Sequence, residues 1–142
     1  MAKQILKASV HAFILDGNNI LLLKRANTGY CDGMYSLPAG HIDDNEPASH
    51  AMLRELQEEV NIATTADKLT VVLSSHRTTD EHPYFNLYYS ISDFNKNLII
   101  NNEPEKCDEL KWFDLDELPE NIVPYIKKAI NAYLDGEIYL ED

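Results

Sequence analysis

The chain alternates between short apolar segments and polar connections, and five of the apolar segments predict β-strands. They are rich in large aliphatic, β-branched and aromatic residues, which favour pleated structure. The segments are Gln4–Leu15, Ile20–Lys24, Leu69–Ser75, Tyr84–Ile91 and Leu110–Phe113. The turn sequence Asp16-Gly17, extended by Asn18-Asn19, separates the first two segments and predicts that they pair as a hairpin.

The segment Ala48–Val60 predicts a helix, because it contains no Gly or Pro and consists mostly of good helix formers. Proline is tolerated in a first helical turn, so Pro47 predicts a start near Asn45 or the residue after it. Asp44 or Asn45 is then the expected N-terminal cap. Asn61 is expected to end the helix, since asparagine accepts the left-handed conformation well.

A second helix is predicted near the end of the sequence, with Pro124 in its first turn and Gly136 just after it. Its apolar residues recur with helical spacing at Ile126, Ala129, Ile130, Tyr133 and Leu134. Strands followed by a helix, further strands and a last helix predict an α/β fold. The chain contains no repeat and no linker long enough to separate domains, so we expect a single domain over residues 1–142.

The first helix has two distinct faces. Its apolar face consists of Ser49, Leu53, Leu56 and Val60, with Met52 at the edge. The other face carries Glu55, Glu58 and Glu59, with open space expected beside Ala48 and Ala51. Like charges at this spacing destabilise a helix. The face is therefore either a solvated acidic surface with Arg54 as an ion-pair partner, or a site for a hard divalent cation.

The composition changes this picture in three ways. A chain of 142 residues with 44% hydrophobic content is long enough for one core. A net charge of −12 repels nucleic-acid backbones, so binding to nucleic acid is not expected. The two cysteines form no zinc-binding pattern, and no apolar run approaches the roughly 18 residues of a membrane span, so we expect no membrane insertion and a cytoplasmic location.

The stretch from Gly40 to Ile62 resembles the Nudix box, G-x5-E-x7-R-E-U-x-E-E-x-G-U, in which U is a bulky aliphatic residue. The matching residues are Gly40, Glu46, Arg54, Glu55, Leu56, Glu58, Glu59 and Ile62. Asn61 stands where the pattern has glycine. The preceding string KRANTGYCDGMYSLPAG and the later string LKWFDLDELP are also similar to segments of small Nudix hydrolases.

This resemblance implies a Nudix α/β/α sandwich around a mixed β-sheet and Mg²⁺-dependent hydrolysis of a nucleoside diphosphate linked to another group, with Mn²⁺ as an alternative ion. It implies that Glu58 and Glu59 are metal ligands and that the Gly40 carbonyl is a further ligand. Glu55 is either a ligand or the general base. The catalytic set so implied is Glu55, Glu58 and Arg54, with Arg54 orienting Glu55 and Glu46 pairing with Arg54.

Some relatives use a remote carboxylate from a loop outside the box. The acidic segment Glu103–Glu109 lies in the corresponding region, and Glu103 and Glu105 are the candidates. The alternative is a solvated acidic loop.

The substrate is less well defined by the sequence. Arg25 and Arg77 are candidates for phosphate contacts, or are surface cations. Tyr84, in the aromatic strand, is a candidate for stacking on a base, or belongs to the core. His76 and His82 flank the preceding loop and are weaker candidates for lining a pocket.

Relatives that remove oxidised purine triphosphates carry Trp-Pro-Asp-Asp where this chain has Val123-Pro124-Tyr125-Ile126. The first hypothesis is nevertheless a MutT-like pyrophosphohydrolase acting on a nucleoside di- or triphosphate, a small-molecule partner. The alternatives are a hydrolase of ADP-ribose, nucleotide sugars or dinucleoside polyphosphates, or a non-catalytic nucleotide sensor. A homodimer remains open.

Overall fold

Nine strands and two α-helices follow one another in the computed structural model, which describes residue 3 and residues 5–78 and 83–142. The strands are β1 (Lys7–Phe13), β2 (Leu15–Asp16), β3 (Asn19–Arg25), β4 (Tyr35–Ser36), β5 (Ala39–His41), β6 (Leu69–Arg77), β7 (Tyr84–Ile91), β8 (Cys107–Asp114) and β9 (Tyr139–Glu141). The helices are α1 (Ala48–Val60) and α2 (Pro124–Leu134). Neither helix is long enough to cross a membrane.

The strands form two sheets. The first is mixed and has the order β5-β1-β7-β6-β9, with β1 parallel to β7 and β6 parallel to β9. The second is antiparallel, with β2 and β4 on one side of β3 and β8 on the other. Both sheets lie between α1 and α2, so the predicted α/β/α sandwich with a mixed sheet is confirmed.

The strand sequences are continuous apolar runs because both faces of the strands are buried. In β1, Val10 and Ala12 belong to the core beneath α1, whereas Phe13 belongs to the core beneath α2. In β7, Tyr88 and Tyr89 divide between the two cores in the same way.

The predicted hairpin forms over a much shorter length than expected. Across the turn at Gly17, β3 pairs with the two-residue strand β2 alone, whereas β1 belongs to the other sheet. Both edges of β1 are already occupied by β5 and β7, so β3 cannot pair with it. Gln4, the expected first residue of the strand, lies outside the described residues.

The start of α1 differs from the prediction. The helix begins at Ala48 rather than near Asn45, and neither Asp44 nor Asn45 caps it. Pro47 occupies the cap position with φ −60° and ψ 143°, and Asn45 adopts a left-handed φ of 60°. The reason is that the residue before a proline disfavours helical geometry, which excludes Glu46 from the helix.

The faces of α1 are also shifted from the prediction. Ala51 is fully buried and packs with Leu56 and Val60, so the open space expected beside it does not exist. Ser49 and Leu53 are only half-buried. The acidic face lies close to the sheets, and Glu55 and Glu59 are half-buried there, whereas Glu58 is exposed.

Other boundaries shift more modestly. β6 continues past Ser75 to Arg77, and β8 begins at Cys107, so part of the predicted acidic loop is strand. β9 was not predicted at all. α2 begins at Pro124 as expected, with Ile126, Ala129 and Ile130 buried.

Candidate active site

The carboxylates of α1 line one end of a cleft with a volume of about 970 Å³. Gly40 and His41 of β5 form the neighbouring wall, and residues of β1 and β7 form the floor. A cleft of this size lies near the upper end of the range for small-molecule sites, about 300–1,000 Å³.

Glu59 is the most desolvated of the three carboxylates. It accepts a hydrogen bond of 2.9 Å from the backbone N–H of Ala39. Burial raises the pKa of Glu59 well above its usual range, and the negative charge of Glu55 raises it further. The local negative charge is therefore only partly compensated by protein groups.

Glu55 packs directly against the backbone of Gly40. A Cβ atom at Gly40 would overlap the Glu55 carboxylate, so only glycine leaves room for it. Burial raises the pKa of Glu55, while a hydrogen bond of 2.8 Å from Arg54 Nη1 opposes that rise. This contact explains the glycine at the first position of the box.

Arg54 is the centre of a hydrogen-bond network that fixes this end of the cleft. Its Nε and Nη2 donate to the two carboxylate oxygens of Glu46 at 2.9 and 3.0 Å. The Arg54 hydrogen bonds, with a further one from the backbone N–H of Asp43, lower the pKa of Glu46 to about 2. Nη2 also donates to the carbonyl of His41 at 3.1 Å. The network therefore ties α1 to the loop before it and to β5.

Glu58 lies at the open side of the cleft. Its side chain is 51% exposed, and one oxygen lies 3.6 Å from Arg54 Nη1. It is therefore free to turn toward a ligand at low cost.

These residues fit a hard divalent cation by their chemistry. Glu55 and Glu59 bring poorly compensated negative charge beside the Gly40 backbone, and oxygen donors suit Mg²⁺ and Mn²⁺. Within the described part of the chain, however, no three His, Cys, Asp or Glu side chains form a complete metal site. Mg²⁺ does not require one, because it keeps several waters and binds substrate phosphates.

Glu103 also lies in the cleft, because the segment before it is anchored on the end of α1. Asn61 Nδ2 donates to the carbonyl of Leu98 at 2.9 Å, and the N–H of Asn102 donates to the carbonyl of Glu59 at 3.1 Å. The charge of Glu103 raises the pKa values of both Glu55 and Glu59. Glu105 is exposed and is not among the described residues that line the cleft.

The three candidate substrate residues all line the cleft. Arg25 is engaged with its own loop, since its Nε donates to the carbonyl of Tyr30 at 2.7 Å. The Arg77 guanidinium lies 3.9 Å from the ring centroid of Tyr125. The Tyr84 ring stacks on His41, with ring centroids 5.8 Å apart.

Sequence reasoning missed the polar floor of the cleft, which consists of Ser9, His11 and Asn86. The available signal was the pair of polar residues two positions apart in β1, where both side chains face the same side of the strand. It also missed Tyr125, which lines the cleft where relatives acting on oxidised purines carry an acid.

His76 packs against Phe85, with ring centroids 4.4 Å apart, and is not among the described lining residues. His82 lies outside the described residues.

Comparison with known proteins agrees with this fold. A family model described as the NUDIX domain matches residues 5–133. Among solved structures, the MutT NUDIX hydrolase from Burkholderia pseudomallei is similar, with a TM-score of 0.80 and 26% identity. The match covers 90% of this chain and 98% of that one. The fold is that of a class of hydrolases that act on acid anhydrides and generally use divalent metal ions. The chain belongs to this class, the Nudix family.

Two curated relatives differ in the activity that their names give. An ADP-ribose pyrophosphatase from Methanocaldococcus jannaschii is 27% identical over 129 residues, covering 89% of this chain and 72% of that protein. An 8-oxo-dGTP diphosphatase from Proteus vulgaris is 35% identical over 65 residues, covering 46% of this chain and 57% of that protein. The chain thus spans little more than half the length of the second relative.

Proposed function

We propose that this protein is an Mg²⁺-dependent pyrophosphohydrolase that cleaves a phosphoanhydride bond in a nucleoside di- or triphosphate. The observation that carries the proposal is the convergence of Glu55, Glu58 and Glu59 on one cleft beside Gly40. Phosphoanhydride hydrolysis needs charge neutralisation and an aimed water rather than covalent chemistry by the protein.

Glu55, Glu58, Glu59 and the Gly40 carbonyl would hold the cation. When bound, a divalent cation neutralises charge on phosphate oxygens and lowers the pKa of a bound water. Glu55 would act as a ligand or as the base that takes a proton from the attacking water.

Arg54 and Glu46 would act by holding Glu55 in place. The Arg54 hydrogen bonds to Glu46 and Glu55 leave the Glu55 carboxylate little freedom. Arg25, Arg77 and Tyr84 would contact the substrate, because all three line the same cleft.

The test is turnover of a nucleotide panel with Mg²⁺ by the wild type, Glu58→Gln and Glu120→Gln. Glu120 is exposed and is not among the residues described as lining the cleft, so it is the matched control. We expect Glu58→Gln to lose about 100-fold or more in kcat/KM, with an unchanged thermal unfolding curve. Undiminished turnover in this variant would refute the proposal.

ADP-ribose hydrolysis is the second candidate, because the relative of that name matches 89% of the chain. Including ADP-ribose in the panel separates the two. Release of AMP and ribose 5-phosphate with a higher kcat/KM than any nucleoside triphosphate would favour it.

We infer that residues 1–142 form one domain with no nucleic-acid partner, in keeping with a net charge of −12. Both cysteines are free, which supports a reducing, cytoplasmic setting. Light scattering coupled to gel filtration would test whether the protein is a homodimer.

A further inference from the structure

The floor of the cleft contains a histidine whose Nδ1 has no hydrogen-bond partner within residues 5–78 and 83–142. His11 is 2% exposed, and its Nδ1 bonds to none of the described residues. Its ring stacks on Tyr88 with centroids 4.7 Å apart and meets Tyr125 edge-on at 6.0 Å. Buried polar atoms in native proteins nearly always have a partner, so an orphaned nitrogen in a binding cleft needs an explanation.

Ser9 and Asn86 lie beside His11 on the same floor and are also nearly fully buried. Ser9 Oγ donates to Asn86 Oδ1 at 2.5 Å, and Asn86 Nδ2 donates to Ser75 Oγ at 3.2 Å. An amide NH₂ has two hydrogens, so Asn86 retains one that these bonds do not use. The floor therefore offers several hydrogen-bonding positions in fixed places.

The floor is uncharged, unlike the end of the cleft at α1. Burial, with a further contribution from the positive charge of Arg77, lowers the pKa of His11 to about 3, so the imidazole is neutral near pH 7. The guanidinium of Arg77 is in turn 3.7 Å from the Asp142 carboxylate. A neutral polar ligand fits this floor better than a phosphate does.

Two aromatic rings, those of Tyr125 and Tyr84, line the walls of the cleft. Arg77 lies over the Tyr125 ring and His41 stacks on the Tyr84 ring, so a flat ligand would stack on the face of each ring that its neighbour leaves uncovered. A nucleobase stacks on such rings regardless of its identity, and hydrogen bonds to its edge supply the discrimination.

We propose that His11 is a specificity-determining residue whose Nδ1 hydrogen-bonds the edge of the substrate's nucleobase. This proposal rests on the proposed function. The base lies on the floor formed by Ser9, His11 and Asn86, while the phosphates lie at the α1 end. Nδ1 is screened from water, so this contact requires the base to displace a neighbouring side chain, and Tyr125, whose ring meets His11 edge-on, is the candidate.

The experiment measures binding without metal and without turnover, so it remains informative if hydrolysis fails. Isothermal titration calorimetry would compare AMP, GMP, CMP and UMP with ribose 5-phosphate, which lacks a base. The wild type should bind at least one of the four about 10-fold more tightly than ribose 5-phosphate. Equal affinity for all five probes would overturn the proposal.

Two variants test whether the gain in affinity that the base provides comes from Nδ1. His11→Phe keeps the stacking on Tyr88 but removes both nitrogens, and should lose the preference for the base while binding ribose 5-phosphate as before. His11→Asn places an amide near the position of Nδ1 and should recover part of the preference. An unchanged preference in His11→Phe would overturn the proposal.

The wild type supplies a readout that does not depend on the folding of either variant. In ¹⁵N-labelled protein, the Nδ1 resonance of His11 should shift when the preferred monophosphate is added and stay in place with ribose 5-phosphate. No shift at saturating monophosphate would contradict the assignment.

Discussion

The contact between Gly40 and Glu55 is the tightest constraint on a single residue in the site. Because a Cβ would overlap the end of the Glu55 side chain and not the backbone, Gly40→Ala should displace the Glu55 carboxylate rather than unfold the protein. We expect kcat/KM to fall by about 10–100-fold, with little change in the thermal midpoint. Steady-state kinetics and thermal unfolding measured on the same sample would check both parts.

Shortening Glu55 is the matched control for that clash. If the overlap causes the loss, Gly40→Ala should cost less in the Glu55→Asp background than in the wild type, because the shorter side chain reaches less far. Equal and additive losses in the two backgrounds would contradict this account.

The lowered pKa of His11 makes the free energy of unfolding depend on pH. The unfolded chain binds a proton on this residue below about pH 6.5. The folded protein does so only near its lowered pKa of about 3. Stability contributed by neutral His11 is therefore complete above pH 6.5 and is lost as the pH falls toward 3, by up to about 1.4 kcal/mol per unit.

The measurement is urea unfolding at pH 8 and pH 5.5 for the wild type and His11→Phe. The wild type should lose about 1 kcal/mol more than the variant between these two pH values. The same loss in both proteins would show that His11 does not carry the effect.

At the scale of elements, the end of α1 holds two parts of the site together. Asn61 adopts φ 61° and ψ 36° and also bonds the carbonyl of Leu98. Asn61→Ala should destabilise the fold by about 1–2 kcal/mol, because alanine tolerates the left-handed conformation poorly. Asn61→Gly should cost less, since glycine relieves the strain and loses only the side-chain hydrogen bonds to Leu98 and Gln57. Denaturant unfolding compares the three proteins, and an equal loss in both variants would argue against backbone strain.

The segment docked on α1 provides a matched pair of carboxylates. Glu103 lines the cleft, whereas Glu105, two residues later, is exposed. Glu103→Gln should lower kcat/KM by about 10-fold or more, because it removes a carboxylate beside Glu55 and Glu59. Glu105→Gln should leave it unchanged. Equal effects of the two changes would mean that the segment acts only through its charge.

The sequence predicted elements whose signal is local. The end of α1 at Asn61, the start of α2 at Pro124 and most strand centres depend on propensities within a few residues, and these were correct. The partner of β1 and the existence of β9 depend on contacts between distant segments, which local patterns do not contain. The box residues were found through fixed spacing, whereas His11 and Tyr125 meet only in the folded chain.

At the scale of the whole molecule, charge and topology combine to make one region strongly anionic. A chain with net charge −12 brings Glu55, Glu59 and Glu103 together beside β5. The charge of Glu103 raises the pKa values of Glu55 and Glu59, and the charge of Glu55 raises the pKa of Glu59. This arrangement opposes folding unless a cation reduces the repulsion. The proposed metal site should therefore contribute to stability as well as to catalysis.

Mg²⁺ should consequently raise the thermal midpoint of the wild type in a saturable way. A ligand that binds only the folded state at 100 times its Kd stabilises by about 2.7 kcal/mol. The midpoint should rise by several degrees, since a domain of this size shifts by roughly 2–8 °C per kcal/mol.

NaCl at matched ionic strength controls for general screening. Glu59→Gln should remove the saturable part of the rise, because Glu59 is the most desolvated of the three carboxylates on α1. If Mg²⁺ and matched NaCl raised the midpoint equally, the carboxylates would be responding to ionic strength alone and the proposed metal site would be wrong.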